Sequence, residues 1–233
     1  MDKLTRKELK SDKFALEVQH SVEYVSEHRR QLIWWATPAL AVALLVIVVY
    51  FYRNYQHSNR QEALHAAMQI QNSTVGPSPS EFVVTFPTTD ARMKAAVKIW
   101  SDLAAKYSGT DEGAIAEFFL GTNASDSGTL PEAEKHFKAA IDSGSGPYAS
   151  TAKLALAQIY AGEGKVNQGV PLIQSVIDHP TVLVSKEAAT LALADLIKTT
   201  DPQRAKKLVE PLRTSTRSPV SKAAINLHSS LTQ

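Results

Sequence analysis

The sequence contains no cysteine, and neither sign of charge is in large excess. Without cysteine the 233-residue chain can form no disulfide, and it offers no thiolate as a nucleophile, zinc ligand or iron–sulfur ligand. Its 25 basic and 23 acidic residues leave a formal charge of +2, which argues against a strongly basic nucleic-acid-binding protein. We therefore expect no nucleic-acid partner, and the length predicts one or two domains.

Charged side chains are also missing from one continuous run, residues 31–52. As a helix this run would be about 33 Å long, close to the roughly 30 Å hydrocarbon core of a bilayer. Its apolar part is longer than that of a usual signal peptide, and leucine, valine and isoleucine would face all sides of the helix, which disfavours a buried core helix. We predict a transmembrane helix over 31–52 that contacts membrane lipid. The expected residues at the two membrane interfaces are Arg29, Arg30, Trp34, Trp35, Tyr50, Tyr52 and Arg53.

Basic residues are more numerous before this run than after it. Residues 1–30 carry seven lysines and arginines, whereas 53–90 carry only Arg53 and Arg60. This bias predicts a single-pass protein with its N-terminus in the cytoplasm and the bulk of the chain on the other side of the membrane. The inverted topology is the alternative.

Within the cytoplasmic stub, 1–30, an apolar stripe predicts either a docking helix for a partner or a solvated extension lying on the bilayer; it contains Phe14, Val18, Val22 and Val25.

The segment 53–90 is expected to be a juxtamembrane helix followed by a linker. Helical character continues to Gln71, and Pro77, Pro79 and Pro87 then interrupt it. The apolar patch at 82–86 favours a loop anchored by two phenylalanines over an extended, docking segment. From 91 to 233 the pattern consists of short amphipathic helices with start signals such as Asp201-Pro202 and Ser218-Pro219, so the predicted class is all-α.

An internal repeat is visible in this region at an offset of 36 residues. Its two copies are Leu120, Gly121, Gly128, Ala133, Phe137, Ala140 and Leu156, Ala157, Gly164, Gly169, Ile173, Val176. A third, looser copy contains Leu193, Ala194, Ala205, Val209 and Leu212, without the turn glycine. The order of large, small and turn residues over roughly 91–215 resembles the tetratricopeptide repeat family. The resemblance implies a solenoid of helix hairpins; a non-repetitive helical bundle is the alternative.

No pattern for catalysis or for a cofactor accompanies the repeat. Asp178-His179 is the one close acid–imidazole pair of the repeat region, and it lies at a predicted helix end without a nucleophile motif. We therefore expect no enzyme activity and no cofactor. What the resemblance implies instead is peptide binding on the concave face of the first helices. By the alignment, the candidate groove consists of Phe118, Thr122, Leu154, Gln158, Leu191, Asp195 and Lys198; plain interhelix packing is the alternative for Phe118, Leu154 and Leu191.

The whole-chain layout is a short stub, one N-terminal span and a degenerate helical repeat. This layout resembles the YfgM family, ancillary subunits of the SecYEG translocon in the bacterial inner membrane. The resemblance implies a protein of the bacterial inner membrane with its repeat domain in the periplasm. It also implies that the protein assists translocated proteins together with a membrane-anchored periplasmic chaperone such as PpiD. The alternative is a scaffold in another envelope assembly, for example in division, pilus or outer-membrane biogenesis.

Overall fold

The computed structural model describes residues 29–77, 84–143 and 146–231, which form nine α-helices, one 3₁₀ turn and two very short strands. The predicted all-α class is confirmed. The chain divides into two compact units, Met1–Asn59 and Arg60–Gln233. Most of the predicted stub, residues 1–28, lies outside the described residues. The helices are α1 (Arg29–Gln71), α2 (Thr89–Lys106), α3 (Asp111–Asp126), α4 (Leu130–Ser143), α5 (Pro147–Gly162), α6 (Val166–Asp178), α7 (Lys186–Ile197), α8 (Pro202–Val209) and α9 (Ser218–Ser230).

In the first unit, α1 presents its large apolar side chains to the surroundings. Trp34 and Trp35 are 75% and 68% exposed, and their rings meet edge to face at 6.4 Å. None of the helices, as far as the structure describes them, is both long enough and apolar enough to cross a membrane. Several side chains of the predicted span and its flank lie outside the described set: Arg29, Gln31, Leu32, Ile33, Ala36 and Ala39.

The second unit starts earlier than the predicted boundary at residue 91, because the end of α1 belongs to its first core. Ala67 is fully buried there together with Trp100 and Leu120, from α2 and α3. The amide of Gln71 extends the contact: its Oε1 accepts hydrogen bonds from Trp100 Nε1 at 2.9 Å and from Asn123 Nδ2 at 3.4 Å. The last part of α1 and α2 thus act as a further helix pair ahead of the two clear repeats.

The link between α1 and α2 contains the only strands among the described residues. Thr74–Val75 (β1) pairs in parallel with Thr85–Phe86 (β2), in the register Thr74 to Thr85 and Val75 to Phe86. The prediction that the patch at 82–86 forms a loop is therefore wrong for Thr85 and Phe86, which form a short extended strand. Phe82 and Val83 lie outside the described residues.

The two clear copies of the repeat form successive helix hairpins, α3–α4 and α5–α6. Consecutive helices pack against each other, and the first helices of neighbouring hairpins also touch, α3 with α5 and α5 with α7. Every apolar position of the alignment is buried in both copies. Gly128 and Gly164 both have φ of +75°, a left-handed conformation that glycine adopts without strain, so each closes a helix at the same point of its hairpin.

The third copy, α7–α8, closes its hairpin by a different device. Leu193, Ala194, Ala205 and Val209 are buried as the alignment requires. In place of a glycine turn, the carboxylate of Asp201 accepts a hydrogen bond from the Arg204 amide at 3.0 Å and caps α8, as predicted. At Ser218 the predicted cap is displaced by one residue: Ser218 is the first residue of α9, and Arg217 stands at the capping position.

The two clear copies make room between their helices with glycines in different places. A Cβ on Gly121 of α3 would lie 2.7 Å from the ring of Phe137, which is almost fully buried on α4. In the next hairpin the glycine is on the second helix, where a Cβ on Gly169 would lie 3.1 Å from the carbonyl oxygen of Ala157. The small residue thus faces a large ring in one copy and a close backbone in the other.

We expect Gly121→Ala to lower the free energy of unfolding by about 1–3 kcal/mol, the usual cost of overpacking a core. Phe137→Leu in the same chain removes the ring atoms that clash, so the double variant should lose less stability than the two single losses added together. Urea denaturation of the four proteins checks this. Strict additivity would show that Gly121 is not needed to accommodate Phe137.

Candidate peptide-binding groove

Three of the predicted groove residues line one open cleft between α7 and α9. Leu191, Asp195 and Lys198 lie on its α7 side, and its volume is about 410 Å³. Lys198 Nζ lies 2.8 Å from Asp195 Oδ1, so the two charges pair with each other across one helical turn. The remaining lining residues are Ala192, Ala223, Asn226, Leu227 and Ser230. The cleft offers an apolar floor and a polar rim, the surface on which amphipathic peptides dock.

The α9 wall of this cleft was missed by the sequence alignment, because α9 follows the last repeat copy and has no counterpart at the 36-residue offset. Its apolar periodicity was a usable signal. Leu227 lies on the buried side of α9 with Ala224, which is fully buried, and it also lines the cleft.

The predicted residues on α3 have a mainly structural environment. The Phe118 ring is half-buried and lies 5.9 Å from Phe137 and 5.4 Å from Tyr148, centroid to centroid. Thr122 Oγ1 donates a hydrogen bond to the Phe118 carbonyl at 3.1 Å. Phe119 and Tyr148, which the sequence reading did not select, complete a continuous aromatic group that reaches Trp100.

On α5 the two predicted residues differ in how far they are buried. Leu154 is half-buried and packs against the same core cluster as Leu191, whereas Gln158 is exposed. Because α5 contacts both α3 and α7, six of the seven predicted residues lie on three successive first helices, and Lys198 directly follows the last of them. The structure brings Leu191, Asp195 and Lys198 together in one cleft.

Charge is distributed unevenly along the unit. The first clear hairpin, 111–143, carries seven carboxylates and two lysines, whereas 186–222 carries eight basic residues and four carboxylates. The cleft lies in the basic part of the chain. Electrostatic steering would therefore favour a partner segment with acidic groups beside its apolar ones.

A buried ion pair fixes the end of α1 that joins the second unit. Glu112, 4% exposed in the first turn of α3, lies 3.1 Å from Arg60 Nε through its Oε2. Gln61 Nε2 donates a second bond to Glu112 Oε1 at 2.7 Å. Burial raises the pKa of Glu112, but hydrogen bonds from its own backbone amide and from Gln61, together with the Arg60 charge, outweigh burial and hold the pKa below its ordinary value of 4.5.

This pair predicts a pH-dependent effect of Glu112→Gln. We expect a loss of about 1–3 kcal/mol in unfolding free energy at neutral pH, typical of a buried charged hydrogen bond. Because the folded pKa is lowered, the stabilisation is complete above the unfolded value and is lost as the pH falls through the folded one. The difference between the two proteins should therefore shrink in urea titrations below about pH 4.5.

Asp102→Asn is the matched control for this experiment, because the Lys98–Asp102 pair is exposed and should contribute about 0.5 kcal/mol or less. A difference between wild type and Glu112→Gln that stays constant from neutral to acid pH would contradict the role given to the ionised carboxylate.

The acid–imidazole pair sits at the end of a helix, as expected. His179 is the C-terminal capping residue of α6, and the carboxylate of Asp178 accepts a hydrogen bond from Gln174 at 3.1 Å. Both residues are exposed. In the described parts of the chain, no three histidine, aspartate or glutamate side chains converge as a metal site would require.

Comparisons with known proteins point to the same repeat. A family model described as a tetratricopeptide repeat-like domain matches residues 31–187, about two thirds of the chain. The comparisons with curated proteins and with solved structures gave no match. Tetratricopeptide-like repeats are generally non-enzymatic, protein-interacting folds. By the extent of this match and by its successive helix hairpins, the chain belongs to the tetratricopeptide repeat-like domain family.

Proposed function

We propose that the protein is a membrane-anchored, non-enzymatic scaffold that binds other polypeptides through the cleft between α7 and α9. In this proposal residues 31–52 span the bacterial inner membrane, the N-terminus is cytoplasmic, and the repeat unit binds in the periplasm. Membership of a protein-binding repeat family is the observation that carries the proposal.

The proposed anchor rests on the apolar side chains of α1. From Leu40 to Phe51 the larger ones are 45–66% exposed, and no charged residue interrupts the run. Such a continuous apolar surface is costly in water and favourable in lipid. The family match begins at residue 31, the first of the uncharged run, so the match includes this segment as well as the repeats.

Two measurements on the full chain test the anchor and its orientation. The protein should remain in the membrane pellet after alkaline extraction. A Ser58→Cys variant should react with an impermeant thiol reagent from the periplasmic side, and the absence of native cysteine leaves this the single reactive site. Recovery in the aqueous fraction would contradict the anchor, and protection of position 58 would favour the inverted topology.

We further propose that the partners are the SecYEG translocon and a PpiD-like periplasmic chaperone, with the repeat unit holding emerging segments beside the exit of the channel. Tethering would raise the effective concentration of a weak binding cleft at the site where unfolded chains appear. An apolar floor with a polar rim and a basic surrounding suits transient contact with varied segments.

Affinity purification from detergent-solubilised membranes tests this partnership. We expect translocon and chaperone subunits to co-purify with the wild type and to be lost with Ala223→Arg, which fills the cleft from an exposed position. Ile225→Arg is the matched control, since Ile225 is also exposed on α9 and does not line the cleft. Retention of the partners by Ala223→Arg would exclude this cleft, and recovery of division, pilus or outer-membrane assembly proteins instead would favour the other scaffold function.

A further inference from the structure

The turn between α6 and α7 presents two neighbouring apolar side chains to the outside. Val182 is 91% exposed and Leu183 is 52% exposed, and the pair lies between Thr181 and Val184, which are hydrogen-bonded to each other. Val182 is the most exposed large apolar residue that the structure describes. Two adjacent aliphatic side chains this exposed form a small apolar patch, which is favourable to cover where an apolar phase lies within reach.

Hydrogen bonds fix the backbone on both sides of this pair. The Thr181 amide donates to the Val184 carbonyl at 2.9 Å, and the Val184 amide donates to Thr181 Oγ1 at 3.3 Å. The Thr181 and Ser150 hydroxyls lie 2.7 Å apart, which ties the turn to α5. Val184 is buried. The turn is therefore a preformed tip, so covering its apolar side chains requires little additional ordering.

A series of contacts places this tip at the end of the unit where the chain enters from α1. Arg60 reaches Glu112 in the first turn of α3, and a Cβ on Gly146, at the start of α5, would lie 3.9 Å from Asp111 Oδ1. Ser150, also near the start of α5, contacts the tip. All of these contacts lie at the N-terminal ends of first helices, which we call the Arg60 end.

The same end continues to α9. Arg217, immediately before α9, lies 3.5 Å from Glu187 in the first turn of α7. Near the tip, the basic residues Lys186 and Arg217 accompany the acidic residues Asp178 and Glu187. With these charges balanced, the tip has no net charge to attract an ionic surface, and its two aliphatic side chains favour an apolar or interfacial partner.

From this arrangement we infer that Val182 and Leu183 form a second, shallow contact with the bilayer. The inference rests on the proposed anchor: Tyr52, the last residue of the proposed span, precedes Arg60 by only eight residues, which reach at most about 28 Å even when fully extended. In this inference Arg60 stays within about 28 Å of the lipid surface, and the apolar tip at the same end of the unit enters the headgroup–acyl boundary. Two attachment points would restrict how the cleft is presented to its ligands.

Depth-dependent fluorescence quenching in proteoliposomes tests this contact with the full chain. Because the chain has no cysteine, Val182→Cys carries one environment-sensitive label, and Leu183→Cys repeats the measurement one residue further on. The vesicles are phosphatidylcholine with phosphatidylglycerol, with and without a nitroxide near the top of the acyl chain. We expect the nitroxide to reduce emission about twofold or more, as for side chains lying roughly 5–10 Å into the interface.

Two further labels act as controls. Thr199→Cys places the label at an exposed position beyond the C-terminal end of α7, about 18 Å along the helix from the tip, where no quenching is expected. Val46→Cys reports the proposed anchor itself and should be quenched by a nitroxide deep in the acyl chain. These two positions separate failure of the tip from failure of the anchor.

Quenching at 46 and 182 but not at 199 supports the inference. Quenching at 46 alone overturns the inference and leaves the proposed anchor intact, whereas no quenching at 46 overturns both. If position 182 is unquenched in vesicles but shielded from an aqueous quencher in native membranes, a protein covers the tip and the lipid assignment is wrong.

Discussion

Replacing Trp100 with alanine is expected to lower the free energy of unfolding of the repeat unit by about 3–5 kcal/mol, the range for removing a large buried aromatic. The side chain is fully buried, and its ring stacks on Phe119 with a centroid separation of 4.5 Å. Its Nε1 donates to Gln71, at the end of α1. Loss of the ring opens a cavity where α1, α2 and α3 meet. Thermal and urea unfolding, followed by circular dichroism in detergent, measure the loss.

Trp100→Phe separates packing from hydrogen bonding at this position. It keeps an aromatic ring against Phe119 and removes the donor to Gln71, so a smaller loss is expected, with about 1 kcal/mol from the hydrogen bond. A Trp100→Ala protein as stable as wild type would contradict the assignment of the end of α1 to the first core of the unit.

Gly113→Ala should have a comparably large effect, at the upper end of the roughly 1–3 kcal/mol typical of overpacking or beyond it. A Cβ at this position would overlap the backbone oxygen of Tyr107 and would lie 2.9 Å from its carbonyl carbon. The oxygen cannot swing aside, because it accepts hydrogen bonds from the Thr110 amide and from the Thr110 hydroxyl at 3.2 and 2.7 Å. The variant must therefore shift backbone between α2 and α3.

Gly162→Ala is the matched control for Gly113→Ala. A Cβ on Gly162, at the end of α5, meets nothing within 4 Å, so the same chemical change should be neutral or stabilising by up to about 1 kcal/mol. Equal unfolding midpoints for the two variants would show that the close approach of α3 to Tyr107 is not required for the fold.

The repeat could be predicted from sequence because it rests on a regular spacing. Small and large residues recur 36 positions apart, and the same positions are buried in both hairpins, with Gly128 and Gly164 in the same turn conformation. The start of a helix could also be predicted where a side chain caps its first turn, as at Asp201. Such features depend on neighbours in sequence, and the pattern of residue types records them directly.

Features that depend on distant partners could not be predicted in this way. Arg60 and Glu112 are 52 positions apart, and nothing in the local pattern of either segment indicates that they pair. The start of the packed unit at Arg60 was therefore missed. The sequence indicates only a modest apolar contact at Ala67, and it does not reveal that this residue packs in one core with Trp100. The paired strands at Thr74–Val75 and Thr85–Phe86 are only 11 positions apart, but they too depend on a partner segment that the local pattern does not indicate.

The opposite wall of the candidate cleft could not be predicted for the same reason. The repeat alignment selected Leu191, Asp195 and Lys198, which share one cleft, but α9 supplies the opposite wall and is not a repeat copy. Phe118 was selected by the same alignment and packs instead among Phe119, Phe137 and Tyr148. An alignment predicts which helix face a residue occupies, but the neighbouring element decides whether that face stays open.

Site-specific photo-crosslinking in intact membranes tests most directly whether this unit binds other polypeptides through its groove. A photoreactive amino acid is placed at Asp195 or Asn226, exposed on the two walls of the cleft, and at Lys135, exposed on the second helix α4, as the control. We expect protein adducts from positions 195 and 226 that are absent from 135. Absence of adducts at all three positions, or the same adducts from position 135, would contradict it.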